Sequence, residues 1–114
     1  MKLYICGPMT GYPDNNFAAF ERAEDTLDHL GHEFVSPRVI SIEHGSEDWG
    51  FCLRKDIKEL VDCDGFALLD GWEKSRGARL EITLGRALGL KFFTLEHDKL
   101  YPLLGSRVDG VCFC

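Results

Sequence analysis

The sequence predicts an α/β fold, a doubly wound parallel sheet of four to five strands with helices on both faces. Two observations carry this. Short apolar runs alternate with segments of helical periodicity, joined by short connections. One run, Gly65–Asp70, is apolar without alternation, as a strand buried on both faces requires.

Leu3-Tyr4-Ile5-Cys6 reads as a buried strand ended by Gly7-Pro8. A loop through Gly11 and Pro13 follows, with Asp14, Asn15 or Asn16 available to cap the next helix. Phe17, Phe20, Ala23, Leu27 and Leu30 recur at helical spacing, and Gly31 closes that helix. Glu33–Ser36 before Pro37 is a second strand, and Arg38 to Ser46 reads as a loop. Trp49, Leu53, Ile57 and Leu60 or Val61 mark a second helix. After the Gly65–Asp70 strand, Gly71 to Arg76 is a polar loop. Ala78, Ile82 and Leu88 then mark a third helix, ending near Gly89. Lys91–Leu95 is a fourth strand. Leu100–Leu104 reads as a short helix or loop, and Val108–Cys114 as an edge strand. At 114 residues the whole chain is expected to form a single domain.

The net charge of −6 argues against binding a nucleic-acid polymer, which needs clustered Lys and Arg. A small phosphorylated ligand needs only local donors, and Lys74, Arg76 and Arg79 cluster locally. Five cysteines without a CxxC pair give weak support for zinc, and scattered thiols fit a reducing cytoplasm. No apolar run approaches membrane-spanning length. The four histidines show neither metal-pair spacing nor a Ser-His-Asp arrangement.

In a parallel sheet, ligands bind where the strands end at the carboxyl side. The loop Gly7-Pro8-Met9-Thr10-Gly11 is either an anion cradle or an ordinary tight turn. In the loop before the third helix, Ser75 suits a helix N-cap and equally a phosphate contact. Trp72 can stack on a base or cover the core edge. Glu81 is the most pointed residue. It sits three after Ala78, one before Ile82 and four before Gly85, so the helix turns it inward, where an unpaired carboxylate is costly. Gly77 and Gly85 are spaced to bring this helix close to the sheet. The bland alternative pairs Glu81 with Arg54, Arg79 or Arg86. Asp56 borders the apolar stripe of the second helix and could reach the same crevice; otherwise it is a solvated charge. Cleavage of a glycosidic bond commonly uses two such carboxyls.

Three segments, LYICGPMTG, LRKDIKELVDCDGFALLDGW and EKSRGARLEITLGRALGLK, carry a resemblance to the nucleoside 2-deoxyribosyltransferase superfamily. The chain is most similar to its small phage and bacterial members, and is also similar to the 2′-deoxynucleoside 5′-phosphate N-hydrolases. The resemblance runs from Met1 to about Leu95. It implies a flavodoxin- or Rossmann-like fold and retaining cleavage of the N-glycosidic bond of a (deoxy)nucleoside 5′-monophosphate. The family's nucleophilic Glu falls on Glu81, in G-x-x-x-E-x-x-x-G. Its assisting Asp falls on Asp56, and a first-strand Tyr near the nucleophile falls on Tyr4. Ser six residues before the nucleophile, as in the hydrolases, is Ser75. The resemblance places phosphate binding on Gly7, Met9, Thr10 and Gly11 with Ser75 and Gly77. The hydrolases' Arg near Thr10 is missing here, and no trans residue is assigned from the tail. The resemblance further implies no metal or organic cofactor, and a homodimer or higher homo-oligomer. Hydrolase and base-exchange transferase both remain open. The rival readings are a non-catalytic nucleotide-sensing module and a nicotinamide-dinucleotide glycohydrolase on the same fold.

Overall fold

The computed structural model describes residues 1–44 and 49–103, apart from the His44 side chain. Its elements are β1 (Lys2–Cys6), α1 (Phe17–His29), β2 (Glu33–Val35), α2 (Pro37–His44), α3 (Trp49–Leu60), β3 (Gly65–Leu68), α4 (Arg76–Ala87), β4 (Lys91–Glu96) and β5 (Lys99–Pro102). Short 3-10 turns at Pro13–Asn16 and Trp72–Lys74 precede α1 and α4.

The sheet order is β2-β1-β3-β4-β5. The first four strands are parallel, and β5 pairs antiparallel to β4 at the edge. This is the doubly wound, flavodoxin-like arrangement, with its switch point between β1 and β3. Strand β1 sits between β2 and β3, with helices over both its faces, and period two sorts its side chains. Leu3 and Ile5 pack with Phe20, Ala23 and Leu27 of α1. Tyr4 and Cys6 turn to the opposite face and pack with Leu60 of α3 and Ala78 and Ile82 of α4.

Three local expectations are corrected. The stretch from Arg38 is helix α2 up to His44, not loop. Pro37 opens it, where a fixed φ and a missing N–H cost nothing. Arg38 then anchors it, bonding Glu24 of α1 through Nε at 2.9 Å and a terminal guanidinium nitrogen at 2.7 Å. Residues 99–102 form strand β5 rather than a short helix or loop. The hairpin turns through His97 and Asp98, whose φ values of 48° and 65° match the primed turns that hairpins favour. Asn16 occupies the N-cap position of α1 but makes no side-chain cap bond: Asp14, Asn15 and Asn16 all have positive φ, and the Asn16 amide instead donates to the Pro8 carbonyl at 2.9 Å. The strand expected at Val108–Cys114 lies outside the described residues.

Candidate active site

Helix α4 starts at Ser75, whose hydroxyl accepts from the Ala78 amide at 3.2 Å. This is the capping role available to it from sequence. The helix then buries Ala78, Glu81, Ile82 and Gly85, an i, i+3, i+4, i+7 stripe. Gly85 makes the stripe fit. A Cβ there would stand 2.3 Å from Cε1 of Phe66 in β3. Gly77 has no such role: the nearest atom to a Cβ there is Trp49 Nε1, at 3.9 Å.

The stripe delivers Glu81 against β1. The residue is only 5% exposed, and it meets β1 rather than an arginine. Tyr4 donates its phenol proton to Oε2 at 2.5 Å, and the Cys6 thiol lies 3.6 Å from Oε1. Burial pushes the Glu81 carboxyl up to about 8, and the charge of Asp56 adds to this; the bonds from Tyr4 and Cys6 pull the other way. Asp56, on α3, is itself pushed up to about 7 by burial. Tyr4 and Cys6 are raised well above their ordinary values, first by burial and then by the Glu81 charge, so both keep their protons and remain donors.

The other buried glutamate among the described residues makes the contrast clear. Glu24 is bonded by Ser36 at 2.7 Å and by Arg38 at 2.7 and 2.9 Å. Burial alone would raise its pKa, but the bonds from Arg38 and Ser36 outweigh this and hold it below the ordinary carboxylate value. Glu24 is thus a paired structural charge joining α1 to α2. The groups acting on Glu81 are a phenol, a thiol and a second carboxyl, none of them a cation. Such an environment keeps a carboxyl near its titration point at neutral pH, a common property of reacting groups.

The structure therefore brings together Tyr4, Asp56 and Glu81. Of the other candidate residues, Ser75, Gly7 and Trp72 have structural contacts of their own, and Thr10 and Gly11 lie exposed. Trp72 is 3% exposed in the core beneath α4, so it covers the core and offers no free face to a base. Gly7 lies where a Cβ would come within 2.7 Å of Leu69 Cβ, so it serves the close approach of the β1 and β3 ends. Met9 packs on the α1 side, while Thr10 and Gly11 are exposed. Cavities of about 520 and 550 Å³ lie between α1 and the β3 and β4 ends, and between α2 and α3; neither is lined by Glu81, Tyr4 or Asp56.

Two features were missed from sequence. Cys6 is read from sequence as a strand residue and a scattered thiol but not as a site residue, although counting two along the strand from Tyr4 puts both on one face. Trp49, 42% exposed, carries the Arg76 guanidinium 4.6 Å above its ring, joining the first turns of α3 and α4. Asp56 lies two helical turns beyond Trp49, and Glu81 one turn beyond Gly77. Among the described residues no group of three His, Cys, Asp or Glu side chains is arranged to hold a metal ion. No described helix is long and apolar enough to cross a membrane.

Residues 1–94 match the family model described as "Domain of unknown function (DUF4406)", and the chain belongs to that family. The fold is shared with a 2-deoxyribosyltransferase from Bacillus psychrosaccharolyticus at 21% identity and a TM-score of 0.66, covering 97% of this chain and 82% of that one. It is also shared with a 2-desoxiribosyltransferase from Leishmania mexicana at 20% identity and a TM-score of 0.64, covering 82% of this chain and 63% of that one. The match thus spans less than two thirds of the Leishmania chain. At these identities the likeness is one of fold. No curated protein matches the sequence.

Proposed function

We propose that this member of the DUF4406 family cleaves the N-glycosidic bond of a (deoxy)nucleoside 5′-monophosphate with retention, as a hydrolase or a base-exchange transferase. The observation that carries the reading is Glu81 itself: a buried carboxylate on which no cation acts among the described residues, gripped by Tyr4 at the switch point, with Asp56 close enough to raise it further. The two structural neighbours named above, both deoxyribosyltransferases by description, share the fold in which such a group would work.

In this mechanism a Glu81 oxygen attacks the anomeric carbon as the bond to the base nitrogen breaks and its electron pair leaves with the base. Asp56 supplies the proton that the departing base takes up. Water or a second base then attacks the same carbon, giving up its proton to the Asp56 carboxylate, which releases the Glu81 carboxylate and returns the original configuration. Tyr4 holds Glu81 in line. The phosphate is assigned to the start of α4, at Ser75 and Gly77, and to the first loop at Gly7, Met9, Thr10 and Gly11. The enzyme is expected to act as a homodimer or higher oligomer without a cofactor.

The working form has Glu81 ionised and Asp56 protonated, a one-proton state of the pair; the proton rests more often on Glu81, the group raised further, so this form is the minor arrangement of that state. With the carboxyls raised to about 8 and about 7, the rate of base release should be bell-shaped in pH, with its maximum near neutrality. The test is to incubate the chain with deoxynucleoside monophosphates, free nucleosides and a nicotinamide dinucleotide, and to measure free base by chromatography. Release from monophosphates, lost in Glu81→Gln, supports the reading. Full release by Glu81→Gln rejects the nucleophile. Binding without release would point to a sensing module, and release from the dinucleotide alone to a glycohydrolase of that cofactor.

A further inference from the structure

Cys6 is fully buried, and its thiol has two acceptors rather than one. Glu81 Oε1 lies at 3.6 Å and the Ala78 carbonyl oxygen at 3.7 Å. A thiol has a single proton, so it can serve only one of them at a time. The two acceptors differ in kind. The Ala78 carbonyl is always neutral, and as part of the first turn of α4 it is fixed in place. Glu81 carries a charge that the proposed reaction removes when one of its oxygens bonds to the sugar. A donor prefers an ionised acceptor to a neutral one.

We propose that Cys6 is a positioning residue for Glu81, its thiol proton directed to Oε1 while the carboxylate is charged and turning to the Ala78 carbonyl when that charge is lost. The inference rests on the reading of Glu81 as nucleophile. Strand β1 then holds both carboxylate oxygens, Oε2 from position 4 and Oε1 from position 6. The grip on Oε1 is the weaker one, because S–H is a weak donor. That weakness suits an oxygen that must be released to attack carbon, whereas the phenol keeps its partner oxygen throughout. With two acceptors available, neither state of Glu81 leaves a buried donor without a partner, so the carboxylate can change charge without a desolvation penalty at Cys6. Among the described residues, the titratable groups facing Glu81 are Tyr4 and Cys6 from β1 and Asp56 from α3.

The S–H stretching band in the infrared reads this directly, without substrate. The Cys6 band is assigned as the one lost in the near-isosteric Cys6→Ser. It should move to higher frequency as the pH falls through the titration of the Glu81 carboxyl, while the band of Cys63, which donates to the Glu59 carbonyl at 3.6 Å, stays fixed. A Cys6 band that holds its position while Glu81 titrates overturns the proposal. Kinetics give the second arm. Cys6→Ala should lower kcat about 3- to 10-fold, the size of one ordinary hydrogen bond, with KM unchanged, and Cys6→Ser should restore most of it. Wild-type kcat in Cys6→Ala, or no rescue by serine, also overturns it. Should the wild-type chain release no base from any substrate, the proposed function fails, while the infrared band still decides the role of Cys6.

Discussion

Tyr4 and Glu81 form the contact on which the chemistry depends, and the strength of that contact can be tested residue by residue. A phenol donating to a carboxylate is a charge-assisted bond, worth about 1.5–3 kcal/mol when one partner is removed. Tyr4→Phe keeps the ring, which packs edge-on against Phe66 at 5.6 Å between centroids, so the core should survive. We expect kcat to fall about 10- to 100-fold. The whole pH–rate profile should move to higher pH, because the lost bond favoured the ionised form of Glu81 and its loss raises the titration of the pair. A pH–rate profile of Tyr4→Phe against wild type checks both, and an unmoved profile would remove Tyr4 from the mechanism. The inward placement of Glu81 was readable from its spacing to Ala78, Ile82 and Gly85 alone. Its partner was not: the Tyr4 contact joins residues 77 apart in sequence, and only the resemblance pointed to it. Trp72 shows the opposite failure. Its position just after a strand suits a base platform and a core lid equally, and only the packing of α4 over it decides for the lid.

Helix α4 is positioned by its side-chain volumes more than by its cap. Phe66 is stacked on Phe92, with centroids 4.9 Å apart, and packed edge-on by Tyr4, so its ring has little room to yield. Gly85→Ala would drive a methyl into that ring and should lift the helix. We expect a loss of about 1–3 kcal/mol, read as a lower urea midpoint, together with a loss of base release as Glu81 moves away from Tyr4. Gly77→Ala is the matched control. Its nearest neighbour, at 3.9 Å, leaves room for a methyl, so stability should hold or rise by up to about 1 kcal/mol. The element scale is also where sequence reading succeeded most and failed in an instructive way. Continuous apolar runs gave β1, β3 and β4, and helical spacing gave α1, α3 and α4. The helix at Pro37–His44 was hidden because its β-branched residues and opening proline look like the end of a strand. Strand β5 was hidden because its turn uses His97-Asp98 without a glycine to announce positive φ.

Across the whole molecule, the two buried glutamates make opposite demands on pH. Glu81 has its folded pKa raised to about 8 from an ordinary 4.5. Between these values the unfolded chain has released the proton that the folded chain keeps, so stability is full below about 4.5 and falls as pH rises towards about 8. Asp56, raised from 3.8 to about 7, acts in the same direction. Glu24 acts the other way: its lowered pKa contributes stability above its unfolded value, and that is lost as pH falls. Together they predict a stability maximum near pH 5, with a decline towards pH 8 that the net charge of −6 reinforces through self-repulsion. Glu81→Gln separates the local effect from the general one. The amide keeps the shape and cannot ionise, so its decline should be shallower, and above pH 8 the variant should be more stable than wild type. The shift from 4.5 to about 8 sets an upper bound on the order of 4–5 kcal/mol for the difference between the two declines. Urea unfolding of both proteins at pH 5 and pH 8.5 measures it. Curves that stay parallel between those values would mean that Glu81 ionises in the folded protein as it does in water, and the buried carboxylate at the switch point would lose its claim to chemistry.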